Sequence, residues 1–493
     1  MPSTIQDDAQ QIWKAGVAAV RADRVVMDHV QWDGRWLTIT QDAYDLSTVE
    51  RLWIVGAGKA TSGLLRGLLH VLLASRYAYP AIQGWINIPE DAFQPEDLEI
   101  ARKAGITVCQ ARPPGINEPT ERVVYGTREI VRIVENAGVR DCVITLISGG
   151  GSALLCLPSP GISLDTKLAV TRSLSSRGAN IEQLNAVRRC MSQVKGGGLA
   201  RRCHAPRMLS LILSDVLGDP LEYIASGPTV LNPRPDPRLA STILKEFCPG
   251  EFLELLSRWE SDLRNSILQN ELPSPETECV IKNYVMANNA TAVMAAKRKA
   301  VELGYRLFDG VSTMAESSFG SEAAAYGENF ARSLLQMPVP TNANDQPNDN
   351  HQRVAWITGG EPTVVLPASA VRGRGGRNQH LVLAAGIAAI EGLQSSDGSI
   401  NEIGVGNDGV GNDGDWVILS GGTDGEDGPT DAAGAWVDRD WVRRYGKERD
   451  ELEKGLARCD SYSIFEQTGN LLRTGPTHTN VCDVRVGLRR GAP

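Results

Sequence analysis

The stretch Leu52–Ser75, LWIVGAGKATSGLLRGLLHVLLAS, decides the fold. Its first half, LWIVGAGK (52–59), is a short apolar run ending in glycines; its second, TSGLLRGLLHVLLAS (61–75), carries leucines at helical spacing. A buried strand running through a glycine turn into a helix is the unit of a parallel α/β sheet. The motif recurs. VITLISGGGSALL (143–155) is a second such strand, and MLSLILSD (208–215) is a third that ends at Asp215. VAWITGGEPTVVL (354–366) and WVILSGG (416–422) are two more. Residues 5–27 predict an opening helix, 181–200 a helix that runs to its glycines, and 372–390 a glycine-rich turn entering a helix. This rhythm predicts doubly wound α/β architecture.

At 493 residues the chain exceeds one ordinary core, so two domains are expected. Proline-rich breaks at 231–238 and 271–277 bracket a boundary between 230 and 285. Residues 1–255 are expected to form one domain and 280–488 the other. Segments 337–352 and 393–415 read as surface insertions. The net charge of −9 argues against a nucleic-acid partner. Nine scattered cysteines without a C-x-x-C pair suggest reduced thiols. No run reaches the ~20 apolar residues of a membrane span, and the polar opening MPSTIQDDAQQIW is unlike a signal peptide. A cytoplasmic location is the expectation.

In open α/β sheets, ligands bind beyond the carboxyl ends of the strands, so the five strand ends carry the functional argument. GAGKA (56–60) lacks the third glycine of a dinucleotide fingerprint, and no acid follows at ribose distance. It also lacks P-loop spacing. It leaves Gly58 and Lys59 beside backbone N–H groups at a helix start, an anion site or a surface lysine. Ser148, Gly149, Gly150, Gly151 and Ser152 form SGGGS, a backbone that can fold into a concave nest for phosphate or carboxylate. The glycines of KGGG (195–198) are helix-capping candidates, and Lys195 is either part of that cap or a ligand. Asp215, with Asp219 four residues on, can hold Mg²⁺ or accept a hydroxyl proton.

IASGPT (224–229) reads as a further turn at a helix start, and GRGGRNQ (373–379) sets Arg374 and Arg377 among glycines, suited to phosphate oxygens. GGTDGEDGPTDAAGA (421–435) gathers Asp424, Glu426, Asp427 and Asp431. These cannot all be dry and unpaired. They are wet, paired with arginines, or near a divalent ion. An oxygen-rich set without a His or Cys cluster favours Mg²⁺ over zinc. Phosphate cradles, cations and Mg²⁺ together describe phosphoryl transfer.

The blocks GAGKA, SGGGSALL, LNAVRRCMSQVKGGGLA (184–200), SDVLGDPLEYIASGPTV (214–230), TGGEPTVVL (358–366), GRGGRNQ, GGTDGEDGPTDAAGA and GPTHTNVCDV (475–484) span the chain in order. In them the chain resembles glycerate 2-kinases of the class with a C-terminal MOFRL domain, formerly labelled hydroxypyruvate reductases. The resemblance implies two three-layer α/β/α domains, the first Rossmann-like with a parallel sheet and the second a MOFRL-type α/β domain, with the active site in a cleft between them. It implies ATP and Mg²⁺ as cofactors, D-glycerate as substrate and phosphorylation at its 2-hydroxyl.

Under that resemblance Lys59 and Arg377 stabilise the transferring phosphoryl group, and Asp215 is base or metal ligand. Gly58, Ser148–Ser152, Lys195, Asp219, Glu361 and Asp424 bind substrate or phosphate. The chain departs from the family pattern at His380, at His478 and in ARPPGINE (111–118). Residues 311–322 match only loosely. The competing expectation is an NAD(P)H-dependent hydroxypyruvate reductase, and a monomer or homodimer is expected in either case.

Overall fold

The computed structural model describes residues 3–268, 279–308, 322–337, 353–393 and 414–491, less residues 91, 94, 114–117, 233 and 369. The expected insertions at 337–352 and 393–415 fall almost wholly outside these residues, as do 311–321 and half of ARPPGINE. The chain divides into two compact units: Ala22–Met286, and Met1–Arg21 together with Ala287–Pro493. The division falls next to the expected boundary. It differs from the sequence expectation in giving the first 21 residues to the C-terminal unit.

In the first unit, β1 (Val30–Trp32), β2 (Trp36–Ile39) and β3 (Asp42–Asp45) form a small antiparallel sheet. A six-stranded sheet carries the unit. It contains β4 (Arg51–Ala57), β5 (Ala81–Pro89), β6 (Ile106–Arg112), β7 (Asp141–Ile147), β8 (Arg207–Leu213) and β9 (Val280–Ala287), in the order β6-β5-β4-β7-β8-β9. The pairings from β6 to β8 are all parallel.

β4 shows why the sheet is covered on both faces. Val55 and Ala57 pack with Val123, Ile130 and Val134 of the helix Glu121–Asn136. The intervening Gly56 faces Thr61, the first residue of the helix Thr61–Leu73. Successive strand residues point to opposite faces, so the two helices sandwich the sheet. Thr120 starts the former helix by accepting the Val123 N–H at 3.3 Å.

The second unit is built on a mixed sheet. Its strands are β10 (Arg306–Leu307), β11 (Arg353–Gly360), β12 (Asp415–Gly422), β13 (Gly434–Asp438), β14 (Leu471–Leu472) and β15 (Asp483–Arg490), ordered β10-β11-β15-β12-β13-β14. The last strand in sequence lies between β11 and β12, antiparallel to both. The helices Ala323–Gln336 and Arg377–Leu393 share a core with this sheet, centred on Phe330, Trp356, Leu381, Trp416 and Ile418. Phe330 and Trp356 stack at 4.2 Å between centroids. Gly487, in the middle of β15, leaves the room that the Phe330 ring occupies.

The N-terminal helix Ile5–Ala19 joins this unit. Trp13 donates its indole N–H to the Gly421 carbonyl at 3.1 Å, and Asp8 pairs with Arg490. Three expected helices are corrected. The single opening helix is two, Ile5–Ala19 and Ala22–His29. The helix expected to run to the 196–198 glycines stops at Cys190, where the Met191 N–H closes the last turn onto the Val187 carbonyl. The helix after SGGGS is one turn, Gly151–Leu154.

Candidate active site

Around the ends of β4 and β7 the backbone is interlocked. Beyond β4 the chain turns at Gly58, whose φ is +146°. A Cβ there would run into the Ser148 hydroxyl and lie 2.7 Å from the Ser148 carbonyl oxygen. Lys59 donates its N–H to the Gly149 carbonyl at 2.9 Å, and Ala60 donates its N–H to Ser148 Oγ at 3.0 Å. The two glycine turns of the sequence are thus one structure. Gly150, at φ +73°, begins the short helix, and the Lys59 stem lies beside it: a Cβ on Gly150 would sit 3.3 Å from Lys59 Cγ. Gly58→Ala is therefore expected to cost about 1–3 kcal/mol by overpacking and backbone strain. Chemical denaturation checks this; an unchanged midpoint would contradict the interlock.

Ser152 and Lys195 meet one layer deeper. Lys195 is 1% exposed. Its Nζ approaches the Ser152 carbonyl at 3.1 Å, the Ala225 carbonyl at 3.3 Å and Ser226 Oγ at 3.5 Å. Burial drives its pKa well below the ordinary lysine value, and the nearby Lys167 adds to the shift. The alternative that Lys195 belongs to a helix cap is thereby replaced: it lies beyond the helix end and points into protein. The glycines after it bond to the 226–227 loop, Gly196 N–H to the Ser226 carbonyl and Gly197 N–H to the Gly227 carbonyl.

Asp215 follows β8 and is half-buried. Its neighbour Val216 packs on the cluster of Ile147, Ile212, Ile224 and Ala225 at the same sheet end. Asp219, also half-buried, turns the loop at φ +54° and donates its N–H to the Val216 carbonyl. Among the described residues there is no group of three or more His, Cys, Asp or Glu arranged to hold a metal. Mg²⁺ commonly takes one or two carboxylates and completes its shell with substrate phosphate and water. A half-buried carboxylate at a strand end, such as Asp215, could supply one such ligand.

In the second unit Arg377 is the first residue of the helix Arg377–Leu393. Its Nε and Nη2 bond both oxygens of Asp483 at 2.7 and 3.0 Å, and Nη1 bonds Glu361 at 2.6 Å. Asp483 has no exposed surface. Burial alone would lower the arginine's pKa, but the two carboxylates outweigh it and hold the guanidinium protonated. Three of its five N–H donors are engaged, leaving two for a ligand. Glu361, expected to bind substrate or phosphate, is placed as a carboxylate that orients Arg377. Arg374 lies over the Tyr462 ring at 4.1 Å, and its backbone N–H bonds Asp460.

The acidic loop resolves into separate tasks. Asp424 accepts the Glu426 N–H at 3.1 Å, and its carbonyl accepts that of Thr477. Asp431 is held by Tyr462 and Arg473. Asp427 is buried and accepts the N–H groups of Asn378 and Gln379 at 3.0 and 2.8 Å, capping the helix that starts at Arg377. Burial pushes its carboxyl up to about 7, although both N–H groups pull the other way.

Asp427 couples stability to pH. The folded form holds a proton that the unfolded form releases near pH 4, so stability falls as pH rises from about 4 to about 7, on the order of 1 kcal/mol per unit. Asp427→Asn is expected to start less stable, through a poorer cap, and to close the gap to the native protein across that window. Melting curves at several pH values check this; a pH-independent gap would contradict it.

Asp483 was not singled out by sequence reasoning, and Asp427 was read only as one acid of the 421–435 loop, without its capping role. The available signal for Asp483 was a lone acid at the head of the apolar run VRVGL. His380 is buried, 3.8 Å from Glu322, and burial lowers its pKa. His478 takes a left-handed φ of +60°.

A parallel α/β unit with a glycine-lined, lysine-bearing strand end, and a second unit with a carboxylate-braced arginine, have the parts of an anion-handling enzyme. Residues 8–251 match the family described as a domain of unknown function, DUF4147, and residues 354–483 match the MOFRL family. A glycerate kinase of Mus musculus is 32% identical, covering 98% of this chain and 92% of its own length. A D-glycerate 2-kinase of Thermotoga maritima is 34% identical over 75% of this chain and 78% of its own length. The crystal structure of a Thermotoga maritima glycerate kinase superposes with a TM-score of 0.70 at 28% identity, covering 99% of this chain and all of that one. A protein from Pyrococcus horikoshii OT3 superposes with a TM-score of 0.71 at 27% identity, over the full length of both chains. The chain belongs to the glycerate kinase family, in the class that carries a C-terminal MOFRL domain.

Proposed function

We propose that the protein is an ATP- and Mg²⁺-dependent kinase that phosphorylates D-glycerate at the 2-hydroxyl, giving 2-phosphoglycerate and ADP. The observation that carries this is Lys59 on the interlocked glycine turns. The turn fixes the residue's backbone to Gly149 and lays its stem along Gly150, at a strand end where α/β enzymes receive ligands. Phosphoryl transfer asks chiefly for positioning and for cancellation of negative charge.

Lys59 supplies a cation for the transferring oxygens. Ser148–Ser152 cradle an anionic group, either the glycerate carboxylate or a phosphate. The two uncommitted donors of Arg377 contribute further charge. Asp215 would hold Mg²⁺, which when bound neutralises the terminal phosphates. Asp219 and Asp424 are assigned to substrate or phosphate binding, as the family resemblance implies.

The test is a pair of assays: ADP release with D-glycerate, ATP and Mg²⁺, and NADPH oxidation with hydroxypyruvate. ADP release alone is the expected result; NADPH oxidation without ADP release would overturn the reading in favour of a reductase.

A further inference from the structure

The hydrogen bonds behind the SGGGS turn run in one direction. Ser226 is fully buried and donates its hydroxyl proton to Asn185 Oδ1 at 3.1 Å. Lys195 Nζ donates to Ser226 Oγ at 3.5 Å, as it does to the Ser152 and Ala225 carbonyls at 3.1 and 3.3 Å. Ser226 Oγ also lies 3.1 Å from Ser152 Oγ. A hydroxyl has one proton and two lone pairs. With its own proton committed to Asn185, Ser226 can only accept from Ser152, so Ser152 is the donor. Ser226 is then saturated: one bond given, two received.

The same count fixes how Ser152 meets a ligand. Among the described residues Ser226 is the hydrogen-bond partner of Ser152 Oγ, so the Ser152 proton is spent inward and its two lone pairs remain. Ser152 is half-buried and keeps surface on the turn where the Lys59 stem lies beside Gly150. The acceptor behind it is held firmly. Ala225 and Ser226 take φ of +51° and +62° in succession, and the Gly196 N–H binds the Ser226 carbonyl at 2.9 Å. Residues other than glycine keep such conformations where the surroundings enforce them, and they cluster at functional sites.

We infer that Ser152 is a specificity-determining residue that accepts a hydrogen bond from the 3-hydroxyl of D-glycerate. The assignment rests on the kinase reading, which it deepens. A carboxylate or a phosphate offers acceptor oxygens alone. Two acceptors face to face repel, so Ser152 selects a hydroxyl, and an anion on the turn is left to backbone N–H groups. D-glycerate has two hydroxyls. The reacting one loses its proton as its oxygen bonds to phosphorus. Ser152 cannot carry that proton away, because the chain behind it ends on the amide oxygen of Asn185, which is no base. The hydroxyl that meets Ser152 therefore keeps its proton, and with transfer at the 2-hydroxyl it is the 3-hydroxyl.

Equilibrium binding of three acids of the same configuration tests this. They are D-glycerate, D-lactate, which has hydrogen in place of the 3-hydroxyl, and the 3-fluoro analogue of D-lactate, which has lone pairs at that position but no proton to donate. By titration calorimetry the native protein is expected to bind D-glycerate about tenfold tighter than either analogue, with the fluoro acid no tighter than D-lactate. Ser152→Ala should weaken D-glycerate about tenfold and leave both analogues within about threefold of their native affinity.

Three results would overturn the assignment: native affinity for the fluoro acid equal to that for D-glycerate, equal weakening of all three acids by Ser152→Ala, or unchanged D-glycerate binding in that variant. The native series needs no variant and stands should the alanine protein not fold. ADP release with D-glycerate, ATP and Mg²⁺ is measured separately. Its absence beside the expected binding pattern would strike the kinase reading and leave Ser152 as a hydroxyl acceptor.

Discussion

Lys59→Ala is expected to reduce kcat by about 10³-fold while leaving the fold intact. The two halves of this result have different origins. The turn is made by the backbone: Lys59 N–H to the Gly149 carbonyl, Ala60 N–H to Ser148 Oγ, and Gly58 in a conformation only glycine holds comfortably. None of these uses the lysine side chain, so alanine should fold into the same turn. What is lost is a cation near the glycine-lined strand end. Preorganised charge aimed at a transferring phosphoryl group contributes mainly in the transition state, so the loss should fall on kcat more than on KM. Steady-state kinetics with a parallel melting curve separate the effects; near-normal turnover would remove Lys59 from the mechanism.

Arg377→Ala should have a comparable effect on rate and a much larger one on stability. Asp483 is fully buried and meets Arg377 through two parallel hydrogen bonds. Removing one partner of a buried pair strands the other charge and typically costs about 3–5 kcal/mol. Loss of activity in the alanine variant would therefore be ambiguous. Arg377→Lys separates the roles. It keeps a positive charge beside Asp483 but has no planar fork to bond Asp483 and Glu361 together while offering further donors. The lysine variant is expected to recover most of the stability and to remain down in kcat by about 10²-fold. Recovery of both would reduce Arg377 to a counter-ion.

The parts of this account that the sequence disclosed are those with local signatures. The apolar runs of β4, β7, β8, β11 and β12 end in glycine or polar residues, and the strands themselves were legible from those runs. The fold class was legible for the same reason, as was the family, whose blocks span the chain. What stayed hidden depends on partners distant in sequence. The acidic loop could be read only as charges that are wet, paired or near a cation. In the structure Asp427 is none of these: it is dry, and its partners are the N–H groups that begin a helix about 50 residues earlier in the chain.

Asp483 could not be matched to Arg377 before β15 was known to lie between β11 and β12, because nothing local fixes the place of a last strand. Lys195 could be read either as part of a helix cap or as a ligand, because glycines follow it. The helix stops at Cys190, and those glycines bond instead to Ser226 and Gly227, which are distant in sequence. The β1–β3 sheet was missed despite the Asp33-Gly34 turn signal between its first two strands.

The central claim is that the chain moves a phosphoryl group onto the 2-hydroxyl of D-glycerate. Proton-coupled phosphorus NMR of the reaction with D-glycerate, ATP and Mg²⁺ tests it most directly. A new phosphomonoester signal split into a doublet by the single hydrogen on carbon 2 is the expected result. A triplet from the two hydrogens on carbon 3, or no new phosphomonoester at all, would contradict it.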